Sequence, residues 1–366
     1  MTQSADTKSL YEVFRRHLPA LTDYGAADLG QGFTPLVRSR AIGPALGLSQ
    51  LYFKVESANP TGSYKDRFAG LGMALAKSNG ATACLATSSG NTGAALAAFA
   101  AALQMELFIF VNERAPTGKI SQMRAYGARI FQVRGMGVTA EATQAVFRTL
   151  ATLSQAQNTP LLISAFAQSP DAMLGIKTMS YEIGGALPDV RHVFCPAGGG
   201  GLYTAVAMGF ADMASENGPN PRMHIVQPRL NDTIVTPLVS GSAQGRTVDT
   251  VTAISGLAVP FDLDGPRCIE LARASGGTGL LIEDEDAIAC QRQLMRGEGL
   301  LVEPAGAVSV AGLARACRDG LVKPDEPVVC VLTGHGFKDP SSIEAAVAGL
   351  PIGQIAPDDI AGVIAR

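Results

Sequence analysis

The chain has 366 residues, of which 47% are hydrophobic and 17% are charged, and its formal net charge is -3. This composition provides enough apolar side chains for a large core and excludes an intrinsically disordered chain. The small net charge gives no indication of nucleic-acid binding. We therefore expect a globular protein whose length allows two domains, or one large α/β unit with a subdomain.

Short apolar runs alternate with Ala- and Gly-rich stretches over most of the chain, a pattern typical of parallel sheets covered by helices. The predicted strands cover residues 51–56, 81–87, 105–111, 129–133, 161–166, 192–197, 223–227 and 328–333. The predicted helices cover residues 66–78, 91–103, 117–126, 139–155, 171–184, 201–215, 284–297 and 305–318. The region 216–265 is rich in Pro, Gly, Ser and Asn, and most of it remains unassigned. The predicted fold class is α/β.

Several classes of protein are excluded by simple features of the sequence. The first twenty residues are polar and mixed in charge, so we expect no secretory signal. The longest apolar tract, residues 93–111, is interrupted by Gln104 and Glu106 and is interpreted as a helix followed by a strand, not as a membrane span. The six cysteines are scattered and the four histidines lack ligand-like spacing, so we expect free thiols, no metal site and a cytoplasmic location.

The stretch Asn59–Arg67 lies between the first predicted strand and a buried helix. Asn-Pro-Thr-Gly favours a turn, and Ser63 is a natural N-cap. Lys65 is then expected in the first helical turn, where the partial positive charge of the helix start favours a neutral amine. Neutral lysine amines form Schiff bases with carbonyl compounds, including pyridoxal phosphate.

The second strand-to-helix junction, Thr87–Gly93, contains five residues of the type that cap helices within six positions. An ordinary cap requires only one such side chain. Small hydroxyl groups and free backbone N–H groups at the start of a helix bind carboxylates or phosphates. In an α/β sheet, ligand groups collect at junctions of this kind. We therefore predict that this loop binds a ligand.

Four successive glycines, Gly198–Gly201, follow the strand predicted at 192–197. Glycines cost backbone entropy on folding, but they allow backbone amides to approach a phosphate closely at a helix start. The sequence after them lacks the Lys-Ser/Thr pair of a nucleotide P-loop. A phosphate without a triphosphate and without an obvious metal site suits pyridoxal phosphate.

The last junction, Thr333–Pro340, follows the strand predicted at 328–333. Thr333 is placed to present a hydroxyl group to a ring nitrogen, and a neutral partner there would leave a pyridine nitrogen largely unprotonated. His335 is a candidate general base, but a glycine-flanked loop histidine also serves as a hydrogen-bonding scaffold. The sequence leaves both roles for His335 open.

Taken in this order, the motifs resemble the fold-type II pyridoxal-phosphate enzymes, a group that includes threonine synthase, the threonine and serine dehydratases and the tryptophan synthase β chain. The resemblance covers roughly residues 30–340. Asn59–Arg67, Thr333–Pro340 and Gly32–Leu36 look most like threonine synthase, whereas the tetraglycine loop and Glu303–Ala307 look more like the dehydratases.

The resemblance implies a role for each matching residue. Lys65 would hold the cofactor through a Schiff base, and it would also remove the Cα proton of the substrate. The other implied contacts are Asn91 with the phenolic oxygen of the cofactor, Gly198, Gly199, Gly200 and Gly201 with its phosphate, Thr333 with its ring nitrogen, and Ser88, Ser89 and Thr92 with the substrate carboxylate.

The resemblance also implies a tryptophan synthase β-like arrangement of two parallel-sheet α/β domains with the cofactor in the cleft between them. Residues 1–79 and 171–366 would form the larger, cofactor-binding domain, and residues 80–170 a smaller mobile domain that closes on the substrate. We expect a homodimer that acts on a small amino acid, without nucleic-acid or membrane partners.

For the reaction, the resemblance favours a carbon–oxygen lyase similar to threonine synthase, which converts O-phosphohomoserine and water into threonine and phosphate. One position departs from that family, because Ala172 stands where threonine synthases commonly carry a phosphate-binding arginine. The alternatives are a β-eliminating threonine or serine dehydratase, a diaminopropionate ammonia-lyase or a β-replacement enzyme. A non-catalytic protein that binds pyridoxal phosphate is an alternative of another class.

Overall fold

The computed structural model describes residues 8–113, 115, 117–136, 138–360 and 363, which form an α/β fold. The strands are β1 (Leu36–Arg38), β2 (Leu51–Val55), β3 (Ala83–Ala86), β4 (Glu106–Asn112), β5 (Arg129–Val133), β6 (Leu161–Leu162), β7 (His192–Pro196), β8 (Arg222–Pro228), β9 (Gly279–Ile282) and β10 (Val328–Leu332). The helices are α1 (Leu10–Val13), α2 (Ile42–Ala45), α3 (Lys65–Ser78), α4 (Asn91–Ala102), α5 (Thr117–Ala125), α6 (Ala140–Ala156), α7 (Pro170–Met173), α8 (Thr178–Ala186), α9 (Gly201–Ser215), α10 (Val235–Val239), α11 (Gly265–Ala274), α12 (Asp284–Gln293), α13 (Pro304–Arg318) and α14 (Pro340–Val347).

The larger sheet has the strand order β1-β2-β10-β7-β8-β9. Only the β1–β2 pair is antiparallel among these described strands. β7 and β10 are buried along their whole length, as expected of strands with helices on both faces. Parallel strands carry their carboxyl ends at one edge of the sheet. The loops that follow β2, β7 and β10 therefore meet at the same edge.

The smaller sheet has the strand order β5-β4-β3-β6, and its pairs are parallel. A single apolar cluster contains residues of both sheets, such as Cys84 and Ile109 of the smaller sheet and Val193 and Val329 of the larger one. The two sheets therefore share a core. The domain boundaries at residues 80 and 170, and the mobility of the segment between them, stay a prediction.

The apolar tract at 93–111 is split between α4 and β4, with a turn between them in which Gln104 has a φ of 53°. Across the part of the chain that the structure describes, we find no helix whose length and apolar character would let it cross a membrane.

Three predicted elements differ from the observed ones by more than two residues at one end, or are broken into several segments. The strand predicted at 161–166 ends at Leu162, because the chain then turns and the Ile163 N–H donates to Ser169 Oγ at 3.1 Å. The helix predicted at 171–184 is broken into α7, a 3₁₀ segment at Leu174–Lys177 and α8. The helix predicted at 284–297 is α12 followed by a π-helical turn, Leu294–Glu298.

Candidate active site

The turn that carries Lys65 is fixed at both ends. Gly62 has a φ of 87°, and Asp66 accepts hydrogen bonds from the Thr61 N–H at 2.7 Å and from Thr61 Oγ1. The Tyr64 N–H donates to the Thr333 carbonyl oxygen at 3.0 Å, which ties the start of α3 to the end of β10. Left-handed φ angles favour glycine, so the turn requires one at position 62.

The N-cap prediction for Ser63 is wrong. α3 begins at Lys65, so the N-cap position belongs to Tyr64, and Ser63 Oγ is buried without a hydrogen-bond partner among the described residues. The backbone of Ser63 instead forms a bridge with Gly334. Pairing with the loop after β10 therefore determines where this helix starts.

Lys65 lies on the cavity wall with its ammonium close to neutral groups. Its Nζ donates to Ser164 Oγ at 2.7 Å and lies 4.6 Å from the centre of the Tyr64 ring. Burial, opposed by the carboxylates of Glu303 and Asp264, lowers the pKa of Lys65 from 10.5 to about 8. A substantial fraction of this amine is therefore neutral at slightly alkaline pH, as a nucleophile requires.

Beneath Lys65, Arg67 of the same helical turn belongs to a buried ionic network. Its guanidinium binds both carboxylate oxygens of Glu56 at 2.8 Å and also contacts Glu182, which in turn binds Lys54. Burial alone would raise the pKa of Glu182, but Arg67 and Lys54 outweigh it and lower that pKa to about 2. This network fixes the start of α3 against β2 and α8.

The loop between β3 and α4 brings Ser88 and Ser89 to the cavity, and the first turn of α4 brings Asn91 and Thr92. The N-cap position is Gly90, whose N–H donates to Ser88 Oγ at 3.2 Å, and no side chain caps the helix. The first N–H groups of a helix lack carbonyl partners in the preceding turn. The start of α4 therefore offers backbone donors and hydroxyl groups to an anion.

The glycine loop joins β7 to α9 and also lines the cavity. Gly200 has a φ of 95°, and a Cβ there would lie 2.5 Å from Cys268 Sγ. A Cβ on Gly199 would lie 2.9 Å from Leu263, and one on Gly201 would lie 2.7 Å from Met173 Cε. Side chains are thus excluded by the surrounding packing, and the backbone amides are left at the start of a long helix.

A carboxylate without a role in the sequence motifs lies among the predicted cofactor contacts. Glu303, just before α13, accepts hydrogen bonds from Asn91 Nδ2 at 3.0 Å and from Thr333 Oγ1 at 2.9 Å. Burial raises the pKa of Glu303, and these two hydrogen bonds oppose that rise. In the sequence, Glu303 stood out through the resemblance of Glu303–Ala307 to the dehydratases and through the Glu-Pro pair at a helix start, and neither assigned it a contact.

The loop after β10 contributes Lys338 to the cavity wall. Its Nζ donates to Gln122 Oε1 at 2.6 Å, and Gln122 Nε2 donates to the Thr61 carbonyl oxygen at 3.2 Å. His335 is not among the described residues that line the cavity, and its Nδ1 accepts from the Phe337 N–H at 3.2 Å. Of its two possible roles, this geometry favours the scaffold.

The residues predicted to bind the cofactor or the substrate all line one cavity of about 800 Å³: Lys65, Ser88, Ser89, Asn91, Thr92, Gly198, Gly199, Gly200, Gly201 and Thr333. Its volume is in the range of small-molecule sites. Ser164, Gln122, Glu303 and Lys338 also line it and were not predicted as site residues.

The donor set of this cavity fits pyridoxal phosphate. A lysine with a lowered pKa suits the aldehyde, and a glycine loop at a helix start suits the phosphate. Thr333 and Asn91 carry hydrogen-bonding groups suited to the ring nitrogen and the phenolic oxygen.

Comparisons with known proteins agree with this geometry. Residues 27–334 match the family described as "Pyridoxal-phosphate dependent enzyme". The threonine synthase of Bacillus sp. (strain ULM1) is 34% identical over 98% of this chain and 99% of its own length. The threonine synthase of Methanocaldococcus jannaschii is 30% identical over 90% of this chain and 80% of its own. A solved structure of T.th. threonine deaminase is 27% identical, with a TM-score of 0.69 over 87% of this chain and 98% of that one.

The sequence motifs, the shared cavity and the match over residues 27–334 agree with one another. The predicted α/β fold of fold-type II enzymes is confirmed, and so is the predicted cofactor. The chain belongs to the family of pyridoxal-phosphate-dependent enzymes, and its cofactor is pyridoxal 5'-phosphate.

Proposed function

We propose that this enzyme is a lyase of the threonine synthase type, which converts O-phospho-L-homoserine and water into threonine and phosphate. The similarity to threonine synthases over nearly the whole chain supports this reaction. The observation that carries the proposal is the presence of a second ammonium group, Lys338, in the cavity that contains Lys65. One amine serves the chemistry at Cα, and the other provides positive charge for a leaving phosphate.

Lys65 moves the proton in the first step. The bound cofactor supplies an electron sink that stabilises negative charge at Cα of the substrate. As a free amine, Lys65 would be suited to accept the Cα proton, because burial lowers its pKa to about 8. Ser164 Oγ, which accepts a hydrogen bond from Lys65 Nζ, orients the amine.

The remaining site residues bind and orient. Ser88, Ser89 and Thr92 hold the substrate carboxylate at the start of α4, where the helix dipole favours an anion. The residues that hold the cofactor are Lys65, Asn91, Gly198, Gly199, Gly200, Gly201 and Thr333.

Lys338 takes the place of the arginine that threonine synthases commonly carry. Ala172 is buried in α7, is 3% exposed and is not among the described residues that line the cavity. Lys338 donates one described hydrogen bond, to Gln122, and an ammonium group has three N–H donors. It therefore has donors left for a phosphate group.

A second candidate function is β-elimination on an amino acid without a phosphate, such as serine, threonine or diaminopropionate. The observation that favours it is that none of the described lining residues is an arginine. A lysine binds phosphate as a point charge and lacks the bidentate fork of arginine. An oxo acid and ammonia would then be the products.

The test compares substrates on the purified holoenzyme. Our proposal predicts that O-phospho-L-homoserine yields threonine and phosphate in equal amounts. Lys338→Met should raise KM for this substrate at least about tenfold, because a charge-assisted phosphate contact is lost. The matched control, Lys323→Met, changes an exposed lysine and should leave KM unchanged. The second candidate would be established by two results together. Serine, threonine or diaminopropionate would yield an oxo acid and ammonia, and O-phospho-L-homoserine would yield no threonine.

A further inference from the structure

Glu303 connects two side chains that are proposed to contact the cofactor at different points. Its Oε1 accepts from Thr333 Oγ1 at 2.9 Å, and its Oε2 accepts from Asn91 Nδ2 at 3.0 Å. The residue is 7% exposed. A carboxylate placed in this way determines which hydrogen atoms of its two neighbours remain available to the cofactor.

Thr333 has one hydroxyl hydrogen, and in this arrangement Glu303 accepts it. The threonine oxygen then has only lone pairs to offer. Such an oxygen accepts a hydrogen bond from a protonated ring nitrogen and cannot donate to an unprotonated one. Thr333 alone predicts a largely unprotonated ring nitrogen, and Glu303 changes that expectation.

Both carboxylate oxygens of Glu303 accept hydrogen bonds, which favours the ionised form and opposes the rise that burial imposes on its pKa. Asn91 Nδ2 carries only hydrogens, so it donates to the carboxylate and cannot accept from it. Lys338 and Asp339 face Glu303 from the segment after β10, and Lys65 and Tyr64 face it from the start of α3. Of the charged groups on the segment after β10, Lys338 lowers the pKa of Glu303 and Asp339 raises it.

We propose that Glu303 is a positioning residue that acts through Thr333: by accepting the only hydroxyl hydrogen of Thr333, it raises the proton affinity of the cofactor's ring nitrogen. The inference rests on the proposed contact between Thr333 and that nitrogen. Asn91 Nδ2 lies 3.2 Å from Glu303 Oε1 and 3.0 Å from Oε2, and a bifurcated hydrogen bond from one of its N–H groups would leave the second for the phenolic oxygen. Glu303 therefore orients Thr333 toward the ring nitrogen and Asn91 toward the phenolic oxygen.

The test measures ring protonation in the holoenzyme without any substrate. The apoprotein is loaded with pyridoxal phosphate labelled with ¹⁵N in the ring, and the ¹⁵N chemical shift is followed against pH. Glu303→Gln should lower the titration midpoint by about 1 pH unit or more, because a nearby negative charge is lost. Its amide nitrogen would donate to Thr333 and turn the threonine hydrogen toward the ring.

Two further variants test whether Glu303 acts on the ring nitrogen through Thr333. In a Thr333→Val background, Glu303→Gln should lower the titration midpoint of the ring nitrogen by less than half as much. Asp339→Asn removes another carboxylate near the cavity that has no described hydrogen bond to Thr333, and it should also lower the midpoint by less than half as much. A midpoint that Glu303→Gln leaves unchanged, or an equal shift with and without Thr333, would overturn the inference.

If Glu303→Gln does not retain the cofactor, Glu303→Asp provides the measurement. Aspartate keeps the charge but has a shorter reach to Thr333, so the midpoint should still fall. An aspartate variant with the midpoint of the unchanged protein would overturn the inference. The threonine and phosphate assay is independent of this readout, so failure of the proposed reaction and failure of the Glu303 inference are distinguishable.

Discussion

Lys65 and Arg67 lie two positions apart in the first turn of α3, but their surroundings are opposite in character. Arg67 is completely buried, and its guanidinium pairs with the carboxylates of Glu56 and Glu182. Lys65 faces the cavity, and its described hydrogen-bond partner is the neutral hydroxyl of Ser164. A buried cation that is paired with two carboxylates stays charged, whereas burial lowers the pKa of Lys65 despite the more distant carboxylates of Glu303 and Asp264. The helix is thus anchored by one cation, while the other remains reactive.

The largest expected effect comes from removing the reactive cation. Lys65→Ala should reduce turnover at least about a thousandfold, because the nucleophile and proton acceptor are lost together. The absorbance of the lysine-bound cofactor should disappear as well. The free energy of unfolding of the apoprotein should change by less than about 1 kcal/mol, since Lys65 has no part in the ionic network. Retained turnover would contradict the assignment of Lys65.

Removing the anchoring cation should instead affect stability. Arg67→Met leaves the buried Glu56 without its cationic partner and removes one of the two cations at Glu182, which costs about 3–5 kcal/mol. Urea unfolding of the apoprotein measures this change. Arg16→Met is the matched control, because Arg16 forms an exposed pair with Glu216, and its loss should cost less than about 1 kcal/mol. Equal losses in the two variants would show that the buried network does not anchor α3.

The next effect is the pH dependence of cofactor binding by the apoprotein. Neutral lysine is the nucleophile, so the reconstitution rate should rise with pH and level off above about 8, where Lys65 loses its proton. Below that pH the rate should fall about tenfold per pH unit. Nα-acetyl-lysine in solution is the control, and its rate of Schiff-base formation with pyridoxal phosphate should keep rising up to the ordinary lysine pKa of about 10.4. A reconstitution profile that matches this control would refute the lowered pKa.

The smallest expected effect concerns the hydrogen-bond partner of Lys65. Ser164→Ala removes an acceptor that favours the ammonium form, so the midpoint of the reconstitution profile should fall by less than about 1 pH unit. Ser341→Ala changes a cavity serine that donates to Asp339 and should leave the midpoint unchanged. A midpoint that rises in Ser164→Ala would mean that the serine stabilises the neutral amine.

Much of the fold was predictable because its central strands are continuous apolar runs bounded by turn residues. The predicted strands 192–197 and 328–333 each exceed β7 and β10 by one residue. The loops at 87–93 and 198–201 stood out because their composition exceeds what a turn or a cap requires. β1 and β9 were missed, since runs of three and four residues carry too little periodicity to be recognised.

Features that depend on distant contacts were not predictable. Gly175 lies in the 3₁₀ segment between α7 and α8, and a Cβ there would lie 2.1 Å from the Arg67 carbonyl oxygen, so close packing against α3 requires a glycine. Arg67 was visible within its motif, but Glu182 lies 115 positions away. Glu303 meets Asn91 only after the two sheets pack together. Local sequence does not contain the partner of a long-range contact.

The most direct test of the central claim is to locate the cofactor on the chain. The holoenzyme is reduced with borohydride, digested, and its peptides are mapped by mass spectrometry. Lys54 and Lys177 are buried but paired with Glu182 and Asp212, whereas Lys65 and Lys338 line the cavity. We predict that the cofactor mass is found only on the peptide that contains Lys65 and is absent from Lys65→Ala. A cofactor mass on Lys338 or on an ion-paired lysine would contradict the account.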